Sequence, residues 1–135
     1  MCLNIDENNP QVTDKDYIVY KVLDTGFISP YRSLKYRMNK WYKAELGVTA
    51  KTFGFSIHEG LHYCCTIEDA KNFFSNEGFY DKRIIVECII PQGTKYYENG
   101  KGLGVCEKLK PIRAVKFIRR DYFQRHLIIS PYKKQ

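Results

Sequence analysis

Between Thr52 and Cys65 the chain alternates. Phe53, Phe55 and Ile57 are separated by polar or small residues, Glu59-Gly60 interrupts, and Leu61, Tyr63 and Cys65 resume the rhythm. Period two marks extended chain with one covered face, so two short strands meeting at a turn are predicted here. A first, largely buried strand is predicted at "YIVYKVL", Tyr17 to Leu23, which is rich in β-branched and aromatic residues and closes at Asp24-Thr25-Gly26. "RIIVECII", Arg83 to Ile90, is almost continuously apolar and stops at Pro91, as befits a central strand covered on both faces. Val105 to Leu109 and Ile112 to Ile118 supply two more β-like segments, with "GKGLG", Gly100 to Gly104, as a hairpin loop before them.

One segment changes period. After Thr66, residues Ile67, Ala70, Phe73 and Phe74 fall at helical spacing, with Asp69 placed to cap and Gly78 beyond as a stop. Between Ser29 and Gly47 two periods compete. Leu34, Met38 and Trp41 suit a helix, whereas Tyr36, Met38 and Lys40 alternate with Arg37, Asn39 and Trp41 as in a strand, the reading favoured here. Residues 1–16 are polar and acidic, with "ENNPQ" as a breaker cluster, and predict a flexible lead-in; residues 129–135 predict a flexible tail. The expected fold is a single α+β domain over residues 17–128: a mostly antiparallel, strongly curved sheet with one main helix, about residues 66–75, packed on it.

Composition narrows the function classes. The chain has 135 residues and 44% hydrophobic content, enough for one core. It contains no run approaching the ~18 apolar residues of a membrane span, and its start lacks the basic-then-apolar order of a secretory signal, so a cytoplasmic protein without a membrane partner is expected. Five cysteines, an odd number without a C-x-x-C pair, predict reduced thiols rather than a disulfide framework or a Cys-rich zinc site. The net charge of +7 is concentrated: residues 17–50 carry six bases against two acids, and residues 101–135 ten against two. Such clustering predicts an anionic partner, whether nucleotide, nucleic acid or acidic protein.

Four patterns invite chemistry. His58-Glu59-Gly60-Leu61-His62 spells the zinc-protease pattern H-E-x-x-H, but that site needs both histidines one turn apart on a helix, and here the flanks alternate and a glycine sits at the centre. No metal site is expected. His62 could activate Cys64 or Cys65 as a nucleophile, although buried thiols are more often small hydrophobes. "GKGLG" lacks the spacing of a phosphate loop. The interleaving of Tyr31-Arg32, Lys35-Tyr36-Arg37 and Lys40-Trp41-Tyr42-Lys43, with Arg113, Lys116, Arg119 and Arg120 near Phe117 and Tyr122, combines cations for phosphate with rings for base stacking.

The order "VYKVL", "EGLHYCCTIEDAKNFF", "VECIIPQGTKYYENGKGLGVCEKLKPIRAV" resembles a family of small proteins encoded by bacteriophages and prophages. Its pattern is a G-x-H segment leading into an alanine-bearing helix and then I-P-x-G-T-x-Y-Y, carried here by Gly60, His62, Ala70, Pro91, Gly93, Thr94, Tyr96 and Tyr97. The resemblance implies an accessory protein acting against host defences in the host cytoplasm. The favoured expectation is a protein, possible as a homo-oligomer, that sequesters a small anionic nucleotide-type ligand without turnover or cofactor. Arg32, Arg37, Arg113 and Lys116 are the candidates for phosphate, Tyr36 and Trp41 for stacking, and His62 for a polar contact. More distantly, the order resembles the ADP-ribosyltransferase-like fold, which implies an NAD-using enzyme with Lys21, His62 and Glu107 as catalytic candidates. Lysine stands there where that fold has Arg or His, and it cannot reproduce a bidentate or imidazole contact, so an inactive relative keeping a nucleotide-sized pocket is also implied. A third reading is an inhibitor that binds a host defence protein through its basic face.

Overall fold

The structure is a computed structural model describing residues 3–29, 34–76, 82–120 and 127–132. Among them run β1 (Leu3–Ile5), β2 (Gln11–Val12), β3 (Tyr17–Asp24), β4 (Tyr42–Lys43), β5 (Gly47–Ala50), β6 (Phe55–Glu59), β7 (Leu61–Cys64), α1 (Ile67–Asn76), β8 (Arg83–Ile90), β9 (Lys95–Glu98), β10 (Leu103–Cys106), β11 (Lys108–Arg120) and β12 (Leu127–Pro131). The protein is mostly antiparallel β-sheet with a single short helix among the described residues. A three-stranded sheet has the order β1-β6-β5, and a large sheet has the order β12-β11-β8-β3-β7-β10-β9-β2, with β4 attached to β11. No helix among the described residues is long and apolar enough to cross a membrane.

The two apolar strands form the middle of the large sheet. β3 and β8 pair along their whole length, from Tyr17 opposite Ile90 to Asp24 opposite Arg83. This register puts Val19, Leu23, Ile84, Val86, Cys88 and Ile90 on one face, where they pack with Tyr36, Leu61, Tyr63 and Leu109. Val22 and Ile85 occupy the other face, under Ala70 and Phe74 of α1. The helix begins as the sequence predicts: the Asp69 N–H donates to Thr66 Oγ1 at 3.0 Å, and the Thr66 hydroxyl donates to the Asp69 carboxylate at 2.8 Å.

Several expectations are corrected. Residues 3–13 are not a loose lead-in, because β1 pairs with β6 and buries Leu3 against Ile57, and β2 closes the edge beside β9. Thr13 is buried as well; its hydroxyl donates to the Pro91 carbonyl at 2.7 Å and accepts the Thr94 N–H at 2.9 Å. Nothing local in an acidic segment announces partners some eighty residues away. Residues 129–131 likewise belong to β12, paired antiparallel with β11, rather than to a flexible tail. In the ambiguous region the described residues form a bridge between Ile28 and Lys35 and the short β4, with Asn39 in the left-handed region (φ 61°) ending any longer strand. β11 runs on through Pro111 because a bulge falls there, where a missing N–H is tolerated. Phe53, counted in the alternation of the first extended piece, lies outside β6 in the turn before it and is 91% exposed.

Replacing Thr66 by Ala removes a cap with both partners in place, so it should lower stability by about 1 kcal/mol. Urea melts of Thr66→Ala and Thr66→Ser check this; Thr66→Ser should retain most of the stability, and equal loss in both would refute a capping role.

Candidate functional site

β3 has two very different neighbours. Against β8 its pairing is complete; against β7, the described residues show one register position, Tyr20 opposite Cys64. Beyond that point β3 and β7 part, while β7 stays paired to β10 from Cys64 opposite Leu103 to Leu61 opposite Cys106. A cavity of about 430 Å³ occupies the divergence. Its lining comes from both sides of the sheet: Tyr36, Tyr42 and the 43–45 segment on one, Cys64, Phe73 and Leu103 on the other.

Lys21 crosses this gap. It lies in the same phase of β3 as Val19 and Leu23, which makes it a core position, and it is 6% exposed. Its ammonium donates to the His62 carbonyl oxygen and sits 5.0 Å from the centre of the Tyr36 ring. Among the described residues no carboxylate stands within ion-pairing distance of it. Taking an ammonium out of water costs several kcal/mol even after relaxation, and one carbonyl and one ring offset that in part. The Tyr36 ring in turn stacks obliquely on Tyr42, with centroids 4.8 Å apart. Ser29, Lys43, Glu45 and Glu59 add further polar groups to the lining.

The H-E-x-x-H letters are divided between two strands, with His58 on β6 and His62 on β7, and the zinc-protease helix is not formed. His58 Nδ1 lies 3.3 Å from Thr49 Oγ1 in the three-stranded sheet, whereas His62 lines the cavity. Gly60, between them, has φ 135°, and a Cβ there would strike Val105 and Leu46. The "GKGLG" loop is a β9–β10 hairpin turn whose Lys101 and Leu103 N–H groups are taken up by Asn99 Oδ1, so they are not aimed at a phosphate.

The structure brings together some of the predicted residues and separates others. Lys21, Tyr36 and His62 share the cavity. Glu107 lines a different, more open recess with Lys43–Glu45, Pro91–Thr94 and Lys108, and its Oε1 accepts the Lys95 N–H at 3.0 Å. The catalytic trio Lys21, His62 and Glu107 is therefore not assembled around one cavity. Arg113 on β11 is engaged with Glu87 of β8 at 3.1 Å, Lys116 lies further along β11, and Arg37 and Trp41 are exposed; none of the four lines the cavity. Arg32 lies outside the described residues. Glu45 was not anticipated; Tyr42 was named only within the aromatic-basic interleaving, and Glu59 only within the H-E-x-x-H letters. The one available signal was Lys21 itself, a cation on the buried phase of an apolar strand.

Cys64, the thiol nearest this chemistry, is not activated. Burial pushes its pKa up to about 12, with the Lys21 charge opposing only in part. Cys88 and Cys106 are likewise pushed up to about 12 by burial. Cys65 reaches about 12 through partial burial and the neighbouring Glu98 carboxylate. Burial, followed by the Glu98 charge, also raises Tyr63, whose hydroxyl donates to Glu98 at 3.2 Å. Thiols held neutral are poor nucleophiles and metal ligands. Comparison with protein-family models, curated proteins and solved structures found no match to this chain.

The raised thiols set an alkaline limit. Their folded pKa of about 12 lies above the ordinary 9.0, so the stability they confer is complete below pH 9 and lost as pH rises towards 12. Unfolding free energy should fall across that window by up to about 1.4 kcal/mol per pH unit for each buried thiol. Urea melts at about pH 8 and about pH 10 measure the fall. Iodoacetamide should leave Cys64, Cys88 and Cys106 unlabelled in the native protein; rapid native labelling of these three would contradict the burial argument.

Proposed function

We propose that the protein is a phage accessory protein of the counter-defence type, acting in the host cytoplasm, that sequesters a small anionic nucleotide-type ligand without turning it over. The observation that carries the ligand class is Lys21: a buried ammonium at a cavity of about 430 Å³ that also presents two tyrosine rings. That volume falls in the range of small-ligand pockets, roughly 300–1,000 Å³. In this reading Lys21 takes a phosphate, where low dielectric strengthens the attraction, and the base lies against Tyr36 or Tyr42. Glu45 and Glu59 accept hydrogen bonds from ribose hydroxyls, as carboxylates do in dinucleotide sites. The strongly curved sheet expected from the sequence would wrap the ligand from both faces.

Sequestration is favoured over NAD chemistry because Lys21 and Glu107 line different recesses and the cavity thiol Cys64 is held neutral. The accessory role rests on the order of sequence motifs, and the ligand class rests on the cavity.

Thermal-shift titrations with NAD, ADP-ribose and cyclic dinucleotides at two salt concentrations test the reading. A ligand present at about one hundred times its Kd should add about 2.7 kcal/mol, a shift of several degrees that persists at the higher salt. Lys21→Met should abolish the shift while leaving the unliganded melting temperature equal or higher, since an apolar side chain replaces a buried charge. The released ligand should be chromatographically unchanged. Recovery of nicotinamide or another cleaved product, or a full shift in Lys21→Met, would sink the proposal.

A further inference from the structure

Trp41, next to the cavity tyrosine Tyr42, belongs to another surface. β4 pairs with the start of β11, Tyr42 opposite Leu109 and Lys43 opposite Lys108. Tyr42 and Leu109 turn to the core, so the alternation along each strand puts Trp41, Lys43, Lys108 and Lys110 on the opposite side. The contacts agree: the Lys108 and Lys110 ammoniums lie 4.9 and 4.8 Å from the centre of the Trp41 ring, which is 41% exposed. Lys40, next in sequence, contacts the other ring, its ammonium 5.5 Å from the centre of Tyr42. Among the described residues, none of Lys40, Lys43, Lys108 and Lys110 is ion-paired to a carboxylate. Glu107, the nearest acid in sequence, turns its carboxylate to the Lys95 N–H in the open recess.

From this arrangement we infer that the Trp41 face is a docking surface for single-stranded nucleic acid. Two ammoniums crowded over one ring repel each other, and an incoming phosphate relieves that repulsion while leaving the indole to take an unpaired base. Lys43 and Lys108 also border the open recess of about 550 Å³ beside Pro91–Thr94, but Glu45 and Glu107 line it too, so the cationic contact with phosphate is confined to the rim around Trp41. An acidic peptide would use the ammoniums and leave the ring idle, and the bases of a duplex are already stacked on one another. Lys43 borders the Lys21 cavity as well, but Trp41, Lys108 and Lys110 do not line it, so substitutions at these three and at Lys21 make independent demands on an experiment.

Trp41 is the only tryptophan in the sequence, so its emission reports this site directly. Titration with oligothymidylate of about ten nucleotides should quench it to saturation, with affinity falling steeply as salt rises. A duplex of equal length and inorganic polyphosphate should bind more weakly. By anisotropy of a labelled oligonucleotide, Trp41→Leu should weaken binding about tenfold or more, and Lys108→Gln with Lys110→Gln should weaken it further and flatten the salt dependence. Lys21→Met should leave oligonucleotide binding intact, and Trp41→Leu should leave intact the thermal shift given by NAD, ADP-ribose or a cyclic dinucleotide. The inference is overturned if oligothymidylate does not bind, if polyphosphate or duplex binds as tightly, or if Trp41→Leu has no effect. Loss of oligonucleotide binding in Lys21→Met would also overturn it, since the strand would then be held by the cavity.

Discussion

A buried ammonium in the middle of a β-sheet constrains everything around it. Lys21 occupies a position that the phase of β3 assigns to the core, and a lysine there must either drag water inward or find acceptors inside. It finds the His62 carbonyl and the Tyr36 ring, and the strand that offers the carbonyl stands apart from β3 instead of zipping onto it. The gap between β3 and β7, the cavity in it and the aromatic pair above it form one arrangement. The field of the same charge reaches Cys64, Cys88 and Cys106, where it opposes part of the shift that burial imposes.

The two strands that border this gap are each paired on their far side. β8 supports β3 from one side along its full length, and β10 supports β7 from the other. Tyr63 is pressed so closely on Gly104 that a Cβ at that glycine would collide with the ring. The loop Pro91–Thr94 is clamped by Thr13: the Gly93 N–H donates to the Thr13 carbonyl at 2.9 Å, and the hydroxyls of Thr13 and Thr94 both donate to the Pro91 carbonyl. The I-P-x-G-T letters therefore describe a structural latch that fastens the end of β2 to the sheet edge, while Gly60 and His62, the other end of the same pattern, stand at the cavity.

Trp41, just before β4, and Tyr42, its first residue, serve two environments. Tyr42 faces the cavity and shares Tyr36 with Lys21, and Trp41 faces solvent among Lys108 and Lys110. Both sites join a cation to a ring, but the medium differs. In the cavity the Coulomb attraction on an anion is strong and little screened by salt; at the surface it is weak for each charge, screened beyond a Debye length, and effective through numbers.

Periodicity carried much of the architecture. The apolar runs at Tyr17–Leu23 and Arg83–Ile90, the two extended pieces around Gly60 and the capped helix after Thr66 are features of neighbouring residues, and local sterics and capping are legible locally. The cationic and aromatic content that suggests an anionic partner was legible for the same reason. The sequence by itself thus determined the strands β3, β6, β7 and β8, where the helix begins, and that Lys21 is a cation among apolar residues. Tertiary structure alone decided that residues 3–13 close two sheet edges, that Lys21, Tyr36, Tyr42 and His62 meet around one cavity, and that Glu107, Arg113 and Trp41 do not join them. The physical reason is that strand pairing and cavity lining depend on contacts between residues far apart in the chain. A one-dimensional pattern states which face a side chain takes, but not which strand lies opposite or where two strands part.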